Sequence, residues 1–420
     1  MIHRETCRIC GGTKLKKVLD LGVMPSANAF LELGELDFEK KYPLVVYFCN
    51  DCKLVQLLDV VDAKELWSNY GYLTSASKPL ADHFVELGEN IVKRYITSKD
   101  DLVLEIGGND GVLLSTIKDR CRVLNIEPAV RIAQLSRKNG VHTWSTYFSR
   151  KLARDISLQV GKAKVIVAAN VLAHIDDIKD VFRGMELLLD KGGCLIIETH
   201  WVQNLIGEGG WDQIYHEHVN YYSFHAIYEL VNQFNLKITD VEFIPIHGQS
   251  MRVTIEPGRI VGDNFEEGNI STGLNATWGV HELCFLKERK LGLDKFETFQ
   301  DFNRKVSLNK GELLSCLDLL KWRGKTIAGY GAPAKGNTLI NYCDIAEYID
   351  YIVDTTPFKQ GRYTPGSHIP IFPPDKMKEA PPDYLLLLAW NYADAIIAKE
   401  RDFLKAGGHF ILPVPEVRII

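Results

Sequence analysis

The sequence predicts an α/β protein in three parts: a small N-terminal segment with paired cysteines, then two successive βαβ series, each with a mostly parallel sheet. Three observations predict it. Short apolar runs alternate with amphipathic helical stretches from Leu102 to Glu198, and the alternation resumes at Thr326. Four of the nine cysteines fall as two C-x-x-C pairs near the N-terminus. A length of 420 residues allows about two to four domains. Hydrophobic residues make up 46% of the chain, enough for several cores, which excludes a disordered protein. Lys plus Arg is 49 and Asp plus Glu is 54, a net charge of -5, so no basic excess exists and a general nucleic-acid binder is excluded.

Met-Ile-His-Arg-Glu-Thr-Cys at the N-terminus has no apolar core of signal-peptide length. The longest apolar runs, such as Tyr384 to Trp390, are too short to span a bilayer. A cytoplasmic protein without a membrane partner is expected, with a monomer as the default state.

In chain order, residues 1–65 hold alternating runs at Tyr42 to Phe48 and Leu54 to Val60, read as strands. Asp82 to Tyr95 places Phe84, Leu87, Ile91 and Val92 on one helical face. The first βαβ series predicts strands at Leu102 to Gly107, Arg122 to Glu127, Val165 to Asn170 and Cys194 to Glu198. Helices are predicted at Val112 to Lys118, Ala129 to Lys138 and Ile178 to Leu189. His200 to about Gly262 is irregular and reads as strands and loops added to that sheet. Thr272 to Val306 is charged and helical, a connector. The second series predicts strands from Thr326, at Tyr351 to Val353, at Tyr384 to Ala389 and at His409 to Pro413.

Cys7-Arg-Ile-Cys10 and Cys49-Asn-Asp-Cys52 are two knuckles in one small segment. Four thiolates complete a tetrahedral zinc shell with no open position, so the predicted site is structural. The 38 residues between the pairs exceed usual zinc-ribbon spacing and require an inserted loop, placed at Met24 to Lys40. A redox pair would need a thioredoxin-like βαβ context, which is absent.

Leu104-Glu105-Ile106-Gly107-Gly108-Asn109-Asp110-Gly111 joins a strand to a helix. An acidic strand end followed by Gly-x-x-x-Gly is the pattern of S-adenosylmethionine (SAM) methyltransferases. SAM has no pyrophosphate, but its ammonium and sulfonium can be offset by a carboxylate. Glu127 closes the next strand, where a carboxylate can accept from ribose hydroxyls. Asn170-Val171-Leu172-Ala173-His174 ends a further strand and should line the same crevice. A second loop, Gly329-Tyr330-Gly331-Ala332-Pro333-Ala334, fits G-x-G-x-x-[G/A], with Asp354 downstream as an NAD site requires. Pro333 and the following Lys335-Gly-Asn-Thr suit a diphosphate as well as a dinucleotide. Diphosphate binding, NAD binding and a structural relic all remain open for this loop.

Gln213 to Ser223 is dense in titratable and aromatic residues. A His beside a carboxylate can act as a general base near neutral pH, and His218 is the best single candidate. A metal role lacks ligands, since His216 and His218 are only two; the plain alternative is hydrogen-bonded structural histidines.

Together the two knuckles, Glu105-Ile-Gly-Gly-Asn-Asp-Gly111, the Tyr-x-Glu-His run and the closing half resemble the sugar C-methyltransferases of deoxysugar pathways. That family, which includes an enzyme of the D-tetronitrose pathway, methylates C3 of dTDP-4-keto-deoxyhexoses. The resemblance covers nearly the whole chain. It implies a zinc-binding domain at 1–78, a Rossmann-like class I SAM methyltransferase domain at 79–262, and a C-terminal Rossmann-like nucleotide-sugar-binding domain at 263–420. Implied cofactors are SAM and structural zinc at Cys7, Cys10, Cys49 and Cys52. SAM would contact Glu105, Gly107, Asn109, Asp110, Gly111, Glu127, Asn170 and Val171. His218 would be the base, with Tyr215 and Glu217 beside it. His174 or Tyr222 would offset charge on the C4 oxygen. Tyr72, Ser75, Ser77, His247 and Arg252 would contact substrate, and Lys335, Asn337, Lys359 and Gln360 its nucleotide end. Gln249 departs from a glycine in the family's His-Gly-Gly-Ser-x-Arg stretch. An NAD-dependent nucleotide-sugar oxidoreductase built on the Asp354 loop, and a non-catalytic nucleotide-sugar-binding protein, are the competing readings.

Overall fold

Alternating burial of Leu44, Val46 and Phe48 turns Tyr42–Cys49 into a half-buried strand, paired antiparallel with Leu15–Met24. The computed structural model describes residues 1–67, 73–207, 209–246, 249–258 and 279–420. The sheet order is Leu15–Met24, Tyr42–Cys49, Val55–Leu57, then Asn220–Tyr221, so its last strand comes from the middle of the chain. Residues 25–41 join the first two strands, with one short 3-10 turn at Leu33–Phe38, in the place of the expected inserted loop. Beyond Met24 the chain reaches the C-terminal part. Leu31 bridges Tyr363, and Glu39 accepts from the Gly366 N–H at 2.7 Å and lies 3.1 Å from His368 Nε2.

The central sheet has seven strands. In spatial order they are Thr143–Trp144, Arg122–Ile126, Leu102–Ile106, Ala163–Ala169, Leu189–His200, Ser250–Pro257 and Leu236–Ile244. Ser250–Pro257 runs antiparallel to both neighbours and the rest are parallel. The apolar runs fill both faces; Leu102–Ile106 is buried at every position, as expected for a strand covered by helices. The chain switches direction of travel across this sheet beside Leu102–Ile106. In such folds ligands sit beyond the carboxyl ends of the strands at that point.

The C-terminal sheet orders Ile371–Phe372, Ile352–Val353, Ile327–Tyr330, Tyr384–Leu387, His409–Leu412 and Arg418–Ile419, all parallel except the last. The expected connector at Thr272 to Val306 is two helices, Val280–Leu291 and Phe296–Trp322, parted at Gly292 in the left-handed region; residues 272–278 lie outside the described residues. The first packs on Leu236–Ile244 and Phe224–Val231. The second lies against the N-terminal sheet, where Phe299 stacks 4.6 Å from Phe48, and against the C-terminal one, where Asn309 donates to the Pro413 carbonyl at 2.9 Å. One apolar core runs through all three parts. Among the described residues no helix is long and apolar enough to cross a membrane.

Candidate active site and metal centre

The two knuckles close on each other. Cys7 Sγ lies 3.4 Å from Cys52 Sγ, and Cys10 Sγ 3.5 Å from Cys49 Sγ. All four sulfurs fall within 4.8 Å of one another. A zinc ion about 2.3 Å from each of four thiolates places them about 3.8 Å apart, so the donor set fits. Three of the four cysteines are buried, consistent with a closed structural site.

The loop after Leu102–Ile106 is built for close backbone approach. Gly107 and Gly111 have φ of 69° and 80°, and a Cβ on Gly108 would sit 2.6 Å from both Glu105 Oε2 and Asn125 Oδ1. Glu127 accepts from the N–H groups of Asn109 (3.1 Å) and Ala129 (2.8 Å). Asp110 accepts from the Ser75 N–H at 3.3 Å, and Asn109 from the Thr74 N–H at 3.0 Å, so the turn Thr74–Ala76 covers the loop. Buried Glu105 Oε2, Asp110 Oδ1 and Asn170 Oδ1 have no partner among the described residues. Burial pushes Glu105 up to about 8, helped by Glu127, Glu198 and Asp110. Clustered carboxylates with unpartnered oxygens fit a ligand that carries an ammonium and a sulfonium.

The sign of the Glu105 shift makes a prediction. A carboxyl raised in the fold is protonated there, so its contribution is present below its ordinary range and lost as pH rises through about 8. The melting temperature of the ligand-free protein should fall between about pH 5 and 8, and Glu105→Gln should flatten that fall. Because a bound cation favours the ionised carboxyl, SAM binding at about pH 7 should release protons. Calorimetry in buffers of different ionisation enthalpy reads this directly, and a buffer-independent enthalpy would contradict it.

The histidine cluster stands at the ends of the same strands. Ala163–Ala169 runs into Asn170, left-handed at φ 54°, and the turn Leu172–His174. Residues 215–221 cross over it, with the Val219 N–H on the Ala173 carbonyl at 2.8 Å. The His218 ring is 4.9 Å from His174 and 5.6 Å from His200, and its Nε2 is 3.0 Å from the Tyr215 hydroxyl. The link to the cofactor loop is short: a Cβ on Gly107 would meet the Val171 side chain at 2.8 Å.

His174 Nδ1 donates to the Glu217 carbonyl at 2.7 Å, and burial holds its pKa down. Its Nδ1 proton is thus committed to that carbonyl. Glu217 Oε1 accepts from Ser26 Oγ (3.1 Å) and Asn28 Nδ2 (3.2 Å), and burial pushes its carboxyl up to about 7. The buried Tyr222 hydroxyl donates to the Leu172 carbonyl at 3.2 Å. His216 Nε2 donates to the Tyr42 carbonyl at 3.2 Å, and burial lowers its pKa to about 4, the signature of a structural histidine.

Other expected substrate contacts have partners within the fold. Arg252 binds Glu198 at 2.6 Å and Glu242 at 2.9 Å, and Glu198 also holds His83 at 2.8 Å. Burial raises Glu198, but those two partners outweigh it and hold it below its usual range. Ser75 lies over the cofactor loop, and Ser77 directly precedes helix Lys78–Tyr95. Tyr72 and His247 lie outside the described residues.

In the second loop, Asp354 accepts from the N–H groups of Ala332 and Thr356, each at 2.7 Å. Lys359 Nζ donates to the Ala332 carbonyl at 2.9 Å, and Gln360 Nε2 to the Asp354 carbonyl at 2.9 Å. These groups tie the loop to itself. Lys335 Nζ lies 3.9 Å over the Trp390 ring and 2.5 Å from Asn391 Oδ1; burial lowers it to about 8, opposed by Asp212. Asn337 Nδ2 donates to the Ala27 carbonyl at 2.7 Å, and Thr338 Oγ1 to the Ile214 carbonyl at 3.2 Å. Helix Ala334–Cys343 thus begins against the segment that carries His218.

Sequence reasoning missed His200, Tyr221, Ser26 and Asn28. The Tyr221 ring lies 6.2 Å from His218. The density of the 213–223 run pointed to Tyr221, but nothing local pointed to the others.

Family models match three segments: a zinc binding domain over residues 7–67, a methyltransferase domain over 81–241, and a C-methyltransferase C-terminal domain over 245–415. The C-methyltransferase NovU of Streptomyces niveus is 32% identical over 99% of this chain and 97% of its own. Among solved structures, a SAM-dependent methyltransferase from Anabaena variabilis is 12% identical over 48% of this chain and 99% of its own, with a TM-score of 0.36. Magnesium protoporphyrin IX methyltransferase from Synechocystis with bound SAM is 11% identical over 46% and 88%, with a TM-score of 0.32. At such scores neither likeness carries an argument. The near full-length relative replaces the oxidoreductase and non-catalytic readings, in keeping with an Asp354 already bound by its own loop. The chain belongs to the sugar C-methyltransferase family and is a SAM-dependent C-methyltransferase with a structural zinc site.

Proposed function

We propose that this enzyme methylates C3 of a dTDP-linked 4-keto-deoxyhexose, with His218 as the base. What carries the reading is the Tyr215–His218–His174 cluster beside the cofactor loop, 3.0 Å from hydroxyl to imidazole and 4.9 Å between imidazoles. Methylating oxygen or nitrogen needs little more than a lone pair. Methylating carbon needs a C–H proton removed, which is feasible next to a carbonyl when a base and an enolate donor act together.

His218 Nε2 takes the C3 proton, and the bonding pair moves toward the C4 oxygen. Tyr215 reorients its hydroxyl from Nε2 toward that oxygen. The raised carboxyl of Glu217, held as an acid near neutrality, is a second donor of the kind used to stabilise enolates elsewhere. SAM, held by Glu105, Asp110, Glu127 and the 107–111 backbone, supplies the electrophilic methyl group. Lys335, at the start of Ala334–Cys343, offers its charge to the diphosphate.

Mass spectrometry of products from SAM and a panel of 4-keto nucleotide sugars tests the reading. A product one CH2 heavier, with the new methyl on C3 by NMR, is expected for a dTDP-linked member. A methyl on oxygen or nitrogen, or no turnover across the panel, would overturn it.

A further inference from the structure

The first knuckle holds a residue that neither the zinc site nor the cofactor loop accounts for. Arg8 sits between Cys7 and Cys10, with its side chain fully buried. A buried guanidinium is costly unless its donors are met. Its Nε donates to Asp176 Oδ1 at 2.8 Å, and its Nη1 to Gln56 Oε1 at 3.2 Å and to the Leu57 carbonyl. Its own N–H also donates to Gln56 Oε1 at 3.2 Å.

Both partners lead to the histidines. Asp176 lies two residues past His174, and Arg4 holds it from the other side at 3.1 Å. Gln56 is paired across the sheet with Asn220, two residues past His218. The Leu57 N–H donates to the Val219 carbonyl at 3.0 Å. One rigid, charged side chain therefore touches the anchors of both imidazoles, whose rings stand 4.9 Å apart.

We propose that Arg8 is a positioning residue, which fixes the spacing of His174 and His218 by binding Asp176 and Gln56 at once. The idea rests on the catalytic reading of those histidines. The zinc knuckle then has two roles, since it holds the small sheet together and also aims Arg8 at the active site. Misplacing a catalytic group by about 1 Å can cost on the order of 100-fold in rate. The effect should therefore appear in kcat and leave cofactor affinity alone.

The test uses Arg8→Met, Arg8→Lys and Asp176→Asn in the full-length, zinc-loaded protein, with SAM and dTDP-4-keto-6-deoxyglucose as probes. Zinc content by mass spectrometry and SAM affinity by calorimetry are read beside kcat and KM. Arg8→Met is expected to keep zinc, SAM affinity and KM within about threefold while kcat falls roughly 10–100-fold. Arg8→Lys should recover part of the loss. Asp176→Asn, remote from the thiolates, should repeat the kcat-selective loss, and decides the matter if Arg8→Met fails to fold. Wild-type kcat in Asp176→Asn, or equal losses of kcat, zinc and SAM affinity in all three, would overturn the proposal. His218→Asn is run alongside. If it is inactive while the Arg8 and Asp176 variants are normal, only this proposal fails; if it is fully active, the catalytic reading fails first.

Discussion

His218→Asn is expected to lower kcat by about 10²–10⁴-fold, the usual contribution of a positioned general base. SAM affinity should stay within about twofold, because the proposed cofactor groups Glu105, Asp110 and Glu127 stand on other elements and are not hydrogen-bonded to His218 in the contacts described. Base removal and methyl transfer can be separated. In heavy water without SAM, the wild-type enzyme should exchange the C3 proton of a bound 4-keto sugar for deuterium, and His218→Asn should not. Tyr215→Phe removes the hydroxyl 3.0 Å from Nε2 and should cause a smaller drop, since the imidazole remains. Wild-type exchange by His218→Asn would move the base to one of its ring neighbours, with His174 the first candidate.

What could be read from the sequence follows the range of the interactions involved. The eight strands expected in the two α/β series, the two knuckles and the 105–111 loop are local patterns, and the structure forms them, with Leu189–His200 starting five residues early; the two-residue strands Thr143–Trp144 and Ile371–Phe372 are too short to read. What the sequence does not show is which polar groups the fold pairs with one another. Arg252 reads as a free cation until Glu198, 54 residues earlier, is folded beside it. Lys359 and Gln360 read as nucleotide contacts, yet they bind the turn that holds Asp354. Tyr221 and Tyr222 are adjacent in the chain and therefore face opposite ways; only register could tell which of them meets His218. His200 gave no signal in its own neighbourhood. It enters the site because Leu189–His200 is long enough to carry it there.

Zinc removal is the second large effect, and it should divide the molecule. The N-terminal part is too small to rely on its own core, and four-thiolate zinc sites contribute about 10–16 kcal/mol in peptides, as much as a whole domain's stability of about 5–15 kcal/mol. Cys49 and Cys52 fix the entry to Val55–Leu57, which pairs with Asn220–Tyr221 just after His218. Cys7 and Cys10 flank Arg8, which binds Asp176 near His174. Chelation should melt the small sheet and abolish methyl transfer. The central seven-stranded sheet and the proposed SAM groups do not depend on that pairing, so SAM binding should persist. Circular dichroism, zinc analysis and SAM calorimetry on chelated protein, with Cys49→Ser as the genetic equivalent, give the comparison. Full activity in zinc-free protein would deny that the metal supports the active site. Loss of SAM binding in the same step would mean that the two parts unfold as one cooperative unit, joined through the core that Phe48 and Phe299 share.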